Sequence, residues 1–181
     1  VWCCHRHRLS LRLWFSISAR RAQKMTSQNK DDIMKNVPAF VTVREGLDAA
    51  GQPSIDTLRQ LASRYCTVLS VREASEAGVD EERTILTESG VRFVNVGFAA
   101  SNFDSRHVDA CAAILNDASA APVLFHCSTS NRVGAVLAVL HARSNINATV
   151  DEAIDVGRRA GLKTDGMIAA VRRVIESERS K

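Results

Sequence analysis

No apolar run in these 181 residues approaches the length needed to cross a bilayer, so no membrane span is expected. The five cysteines, Cys3, Cys4, Cys66, Cys111 and Cys127, lack the even count and regular spacing of a secreted disulfide framework. A reducing compartment suits them better. No internal repeat is visible, and no shift in composition marks a second domain after residue 35. Acidic residues are absent from residues 1–24, which carry Arg6, Arg8, Arg12, Arg20, Arg21 and Lys24. That stretch explains the net charge of +4: setting its six cations aside leaves 18 of the 24 basic residues against 20 acidic ones, about −2. A remainder of that sign argues against a nucleic-acid surface spread over the fold.

The basic stretch has the Arg- and Ser-rich composition of a mitochondrial transit peptide. Met25 offers an equal alternative, a translation start with an upstream extension before it. Cys3, Cys4, His5 and His7 are crowded together with no second pair at finger-like spacing, so no metal site is expected there. The expected layout is a basic leader and polar lead-in over residues 1–34 and one folded domain over 35–181. A hydrophobic content of 45% suits such a domain with a sizeable core. Cytoplasmic placement is expected, or mitochondrial placement if the leader is a targeting signal.

Strand and helix patterns alternate along the domain. Phe40–Val43 reads as a first strand, residues 46–54 as a Gly- and Pro-marked loop, and Ser54 as the cap of a helix carrying Ile55, Leu58 and Leu61. Thr67–Val71 reads as a buried strand and Val91–Val96 as a further strand, with a helix over Glu81–Ser89 between them. A long loop, 97–105, precedes a helix reaching Asn116. Thr149 and Glu152 form a capping box, Gly161 closes that helix, and a last one begins near Thr164. Such alternation implies an α/β domain with a mostly parallel sheet of four or five strands and helices on both faces.

The most informative stretch is Pro122 to Ala135, P-V-L-F-H-C-S-T-S-N-R-V-G-A. A short apolar run ends in His126 and Cys127, and the segment after Asn131 is apolar nearly all round, as a buried helix would be. Cys127 therefore falls at a strand-to-helix handover beyond the carboxyl end of a strand, where backbone amides converge on anions. A helix N-terminus and a guanidinium both favour a thiolate. Arg132 offers a planar fork for two oxygens of a tetrahedral anion. Cys66 and Cys111 fall on apolar faces and read as structural thiols.

These residues resemble a family. Gly51-Gln52-Pro53-Ser54, Val68 to Arg72 with Glu73 and Glu76, His126-Cys127 through Asn131-Arg132-Val133-Gly134-Ala135, and Gly157 to Leu162 are similar to the protein tyrosine phosphatase-like domains of the β-lactamase-hydrolase-like, DUF442-type group. The likeness spans roughly residues 36 to 181, several motifs in order. It implies the cysteine-phosphatase α/β sandwich and a phosphoric monoester hydrolase of the tyrosine or dual-specificity kind. Cys127 would be the nucleophile, and Arg132 with loop residues Ser128, Thr129, Ser130 and Asn131 would hold a phosphorylated protein or small oxyanion. A cysteinyl-phosphate would then be hydrolysed, with no cofactor or metal. Asp104 is the expected proton donor, its rival role being a helix cap. His126 and Arg72 are expected to support the loop, a surface ion pair with Glu76 being the alternative role for Arg72.

The chain departs from the phosphatase pattern at three points. Four residues rather than five separate Cys127 from Arg132, Val133 replaces a hydroxyl residue, and Ser130 stands where a loop glycine is usual. The shorter cradle also resembles that of rhodanese-type sulfurtransferases, so a persulfide carrier is a second reading. A non-catalytic phosphate-binding module is a third.

Overall fold

Val123, Leu124 and Phe125 carry no group that water would reward, and all three are buried. With His126 they form β5 (Val123–His126), the centre of a five-stranded sheet in the computed structural model, which describes residues 33–181. The other strands are β1 (Val41–Arg44), β2 (Leu47–Ala50), β3 (Thr67–Ser70) and β4 (Arg92–Asn95), in the order β1-β2-β5-β3-β4. β1 pairs with β2 antiparallel, and the remaining pairings are parallel. In register, Ala50, His126, Ser70 and Asn95 stand at one level across the carboxyl ends of four strands.

Six helices are described: α1 (Ile55–Leu61), α2 (Val79–Glu88), α3 (Ser105–Leu115), α4 (Asn131–Ser144), α5 (Val150–Arg159) and α6 (Asp165–Arg179). The period-two alternation of the strands divides the core. Leu69, Val123 and Phe125 face α3 to α6, whereas Val68 and Leu124 face α1 and α2 through Leu58, Leu61 and Leu86. α4 is the central helix, with Val133 through Val139 buried, as its nearly continuous apolar sequence implies. No described helix is long and apolar enough to cross a membrane.

Two local expectations are corrected. The segment 46–54 is not all loop: Leu47–Ala50 is a fully buried strand. Gly46, at φ +76°, makes the tight turn from β1, and the small Ala49 and Ala50 hid a strand that propensity disfavours. The polar lead-in ends earlier than its composition implies, because Met34 and Val37 are buried in the α1–α2 face. Residues 1–32, with the leader and Cys3, Cys4, His5 and His7, lie outside the described residues.

The capping box at Thr149 and Glu152 forms as read, with Thr149 N donating to Glu152 Oε2 and Glu152 N to Thr149 Oγ1. α4 and α5 then approach closely enough to need glycine on both sides. A Cβ on Gly134 would lie 2.5 Å from the Gly157 carbonyl oxygen, and one on Gly157 would lie 2.6 Å from the Gly134 oxygen. Gly166, at the start of α6, has open space around it. We therefore expect Gly134→Ala and Gly157→Ala each to lower stability by about 2 kcal/mol or more, from overpacking against backbone. Gly166→Ala should instead raise it by about 0.5 kcal/mol, and urea unfolding of the three variants checks both signs.

Candidate active site

β5 delivers His126 and then Cys127, both buried, to the carboxyl end of the sheet. Neighbouring strands hold the exit of β5: Cys127 N donates to the Ala50 carbonyl, and Val71 N to the carbonyl of His126. From Ser128 the chain loops into α4, whose opening amides have no intrahelical acceptor. Gln52 N donates to the Ser128 carbonyl at 3.0 Å, tying the loop to the segment after β2.

Arg132, in the first turn of α4, reaches Glu76 in a two-pronged pair. Its Nη1 donates to Glu76 Oε1 at 2.5 Å and its Nη2 to Oε2 at 3.0 Å. Nη1 also donates to the Phe98 carbonyl at 3.1 Å, and Nη2 to Ser128 Oγ at 3.2 Å. Ser128 Oγ itself donates to Glu76 Oε2, and Glu73 N to Oε1. Partial burial opposes a charge on Glu76, but the bonds from Arg132, Glu73 and Ser128 win and hold its carboxyl at about 2. Burial likewise opposes the Arg132 charge, and the bond to Glu76 with the adjacent Cys127 sulfur outweighs it, raising that pKa.

A second layer lies behind this pair. Arg72, buried, donates from Nε to Glu76 Oε2, from Nη1 to Gln52 Oε1 and from Nη2 to the Ala77 carbonyl. Gln52 Nε2 passes the connection to Glu82 Oε2 at 3.4 Å. Glu82 Oε1 stands 2.8 Å from His126 Nε2 with both side chains fully buried, close but without hydrogen-bond alignment, and neither atom has another partner. Arg72 thus serves the loop and Glu76 together, rather than forming the isolated surface pair.

The loop side chains divide their work. Ser128 joins the Arg132–Glu76 pair, and Thr129 is exposed. Ser130 is buried, adopts φ +65° and donates from Oγ to the Ala160 carbonyl at 2.7 Å. Asn131 accepts from Lys163 N and Thr164 N and donates to Thr164 Oγ1. The Ser130 and Asn131 side chains therefore brace the loop against the α5–α6 connection. Asp104 is the N-cap of α3. Its carboxylate accepts from Arg106 N, Nε and Nη2 and meets His107 Nδ1 at 2.8 Å. The bond from Arg106 is the largest cause holding its carboxyl down at about 2.

Sequence reading assigned no role to Gln52, Glu82 or the Phe98 carbonyl. Glu82 did leave a signal, because it shares the apolar stripe of α2 with Val79 and Leu86. Phe98 is placed by Gly97, where a Cβ would lie 2.6 Å from the Arg72 oxygen. Its ring then stacks on Phe103 at 4.7 Å. Cys111 is the structural thiol expected, pushed up to about 12 by burial.

No protein-family model matches the sequence, and no curated protein does. Solved structures do share the fold. A Shewanella putrefaciens CN-32 protein described as a phosphatase of DUF442 superposes with a TM-score of 0.64 at 14% identity, covering 83% of this chain and 94% of that one. The core catalytic domain of the PP-IP phosphatase Siw14 from S. cerevisiae gives 0.61 at 19% identity, over 80% and 93%. A Neisseria meningitidis Z2491 protein described as a phosphatase gives 0.58 at 21%, over 75% and 98%. The fold is thus the protein tyrosine phosphatase-like α/β fold that the sequence motifs resemble.

Two outcomes follow from the charges. The carboxyl of Glu76 is held at about 2, below its ordinary 4.5, so its contribution is complete above 4.5 and is lost as pH falls through 2. In acid titrations of stability, Glu76→Gln should show a shallower decline than the parent between those two values. Glu82→Ala leaves Gln52 Nε2 without its carboxylate acceptor and a void beside the buried His126, and should cost about 2 kcal/mol or more in urea unfolding.

Proposed function

We propose that this chain is a cysteine-dependent phosphoric monoester hydrolase. The observation that carries this reading is Cys127 at the start of a strand–loop–helix turn whose far end holds Arg132, its guanidinium fixed by Glu76, Phe98 and Ser128. In the proposed cycle the Cys127 thiolate attacks phosphorus, an S–P bond forms, and the P–O bond to the leaving group breaks. Arg132 and the loop amides neutralise the equatorial oxygens as charge builds there. The leaving oxygen takes its proton from solvent. Water then attacks the cysteinyl-phosphate, the S–P bond breaks, and inorganic phosphate departs with the thiolate restored.

Asp104 enters this scheme as a cap rather than as the acid. Its three bonds from Arg106 leave a carboxylate turned to its own helix. The relatives sharing the fold are described as phosphatases, one of them acting on PP-IP, which supports a phosphate ester or anhydride as the substrate class.

One observation favours the non-catalytic module as a second reading. Glu76, Phe98 and Ser128 occupy the four Nη hydrogens of Arg132, which leaves Nε–H as its remaining donor. A loop so committed would bind an oxyanion chiefly through amides.

Turnover of phenyl phosphate separates these readings. Cys127→Ser should lose at least about a thousandfold in kcat/KM while keeping its melting temperature; undiminished turnover would end the hydrolase reading. No phosphate release by the parent, together with phosphate binding that survives Cys127→Ala, would select the module. Asp104→Asn keeps a good cap, so it should turn over within about threefold of the parent. A loss of about a hundredfold or more would instead make Asp104 the proton donor.

A further inference from the structure

A cavity of about 890 Å³ opens where β1, the edge of the sheet, meets α3, α4 and the end of α5. The volume falls within the range of sites that enclose small molecules. Its floor is apolar, made by Val41, Leu115, Leu137, Leu140 and Val156. Cys127 and Arg132 do not line it, so it is distinct from the proposed active site.

The polar lining is of one sign. Arg44, His141, Arg143 and Arg159 line the cavity, and no carboxylate does. The three arginines are not equivalent. Arg143 is already neutralised by Glu178 and Asp109. Among the described residues Arg44 donates only to the Leu115 carbonyl, with no ion pair, and Arg159 has no hydrogen bond or ion pair. The acids of the adjoining groove are committed elsewhere, Glu152 to the Thr149 capping box and Asp155 to Arg158. Val43, 40% exposed on the edge strand, adds apolar surface at the same opening.

We propose that this cavity binds a soluble amphipathic anion. An alkyl or aryl body would lie on the leucines of α3 and α4, and a carboxylate, sulfonate or phosphate head would be held by Arg159 and Arg44. Apolar burial supplies the attraction, and two uncompensated guanidinium groups select the sign of the head group. The edge strand is poorly suited to a peptide partner. Its register slips at a bulge between Thr42 and Arg44, and Arg44 is anchored across to α3, both of which discourage strand addition. An occupant would also touch the support of the Cys127 loop, because Ala160 lines the cavity and its carbonyl holds Ser130.

Calorimetric titration of the full chain with decanoate, kept below its micelle threshold, tests the proposal. Decyltrimethylammonium, with the same chain and the opposite head, is the control. The parent should bind decanoate saturably at one site and bind the cationic amphiphile at least about tenfold more weakly. Arg159→Glu, a change at an exposed side chain, should weaken decanoate about tenfold or more, as should Val156→Trp, which fills the floor. No binding of decanoate by the parent, equal affinity for both amphiphiles, or unchanged affinity in Arg159→Glu would each overturn it. The hydrolase reading stands or falls separately, since neither substituted residue belongs to its machinery.

Discussion

The pairing of Arg132 with Glu76 is the contact on which the site depends. Through it the first turn of α4, the segment after β3, the loop after β4 and Ser128 meet within hydrogen-bond distance of one guanidinium. An isolated surface pair of this kind contributes little, because water screens it and two long side chains must be ordered. Here both partners are largely shielded, and each charge carries further bonds that fix its direction. The fork therefore acts as a fastener: it holds the Cys127 loop to three other segments whose own positions are set by the sheet.

Behind that fastener the polar chain continues inward, through Arg72 and Gln52 to Glu82 and His126. Placing so many ionisable groups in a core is costly unless they satisfy one another. The arrangement makes sense if orientation is what matters. His126 is the residue before Cys127, and its ring stands against a carboxylate that Gln52 also holds. Gln52 binds the loop a second time through its own amide. Any rotation of the loop would therefore break contacts in two layers at once.

Much of this was legible before the fold was known, for reasons that differ by element. The β5–α4 handover stood out because a short apolar run and a long apolar helix flank a polar loop, and the chemistry of Cys127 and Arg132 fell at that junction. β2 was hidden because Ala49 and Ala50 owe their burial to pairing with β5 and not to any propensity of their own. Asp104 could be read as acid or cap from its place in the chain, and its contacts with Arg106 and His107 show the cap directly. Gln52 was visible as part of a motif, but its partners lie 20 and 30 residues away, at Arg72 and Glu82. Sequence patterns report local periodicity well and long-range polar partnership poorly.

The shortened loop with no glycine follows the same logic. Ser130 adopts a left-handed conformation that costs a non-glycine residue about 1 kcal/mol or more. The bond from its hydroxyl to the Ala160 carbonyl returns a similar amount, and a glycine there could not make that bond. The need for glycine has moved to the partner side. Gly161, at φ +102°, lies where a Cβ would come within 2.6 Å of the Ser130 Cβ. Gly134 and Gly157 in turn let α5 and its C-terminal turn approach the start of α4 closely enough to present that carbonyl. Substituting the loop serine by glycine in isolation would relieve the backbone and release the anchor together. The Cys127 loop and the α5–α6 connection are therefore one structural unit, although more than 30 residues separate Cys127 from Gly161 in the sequence.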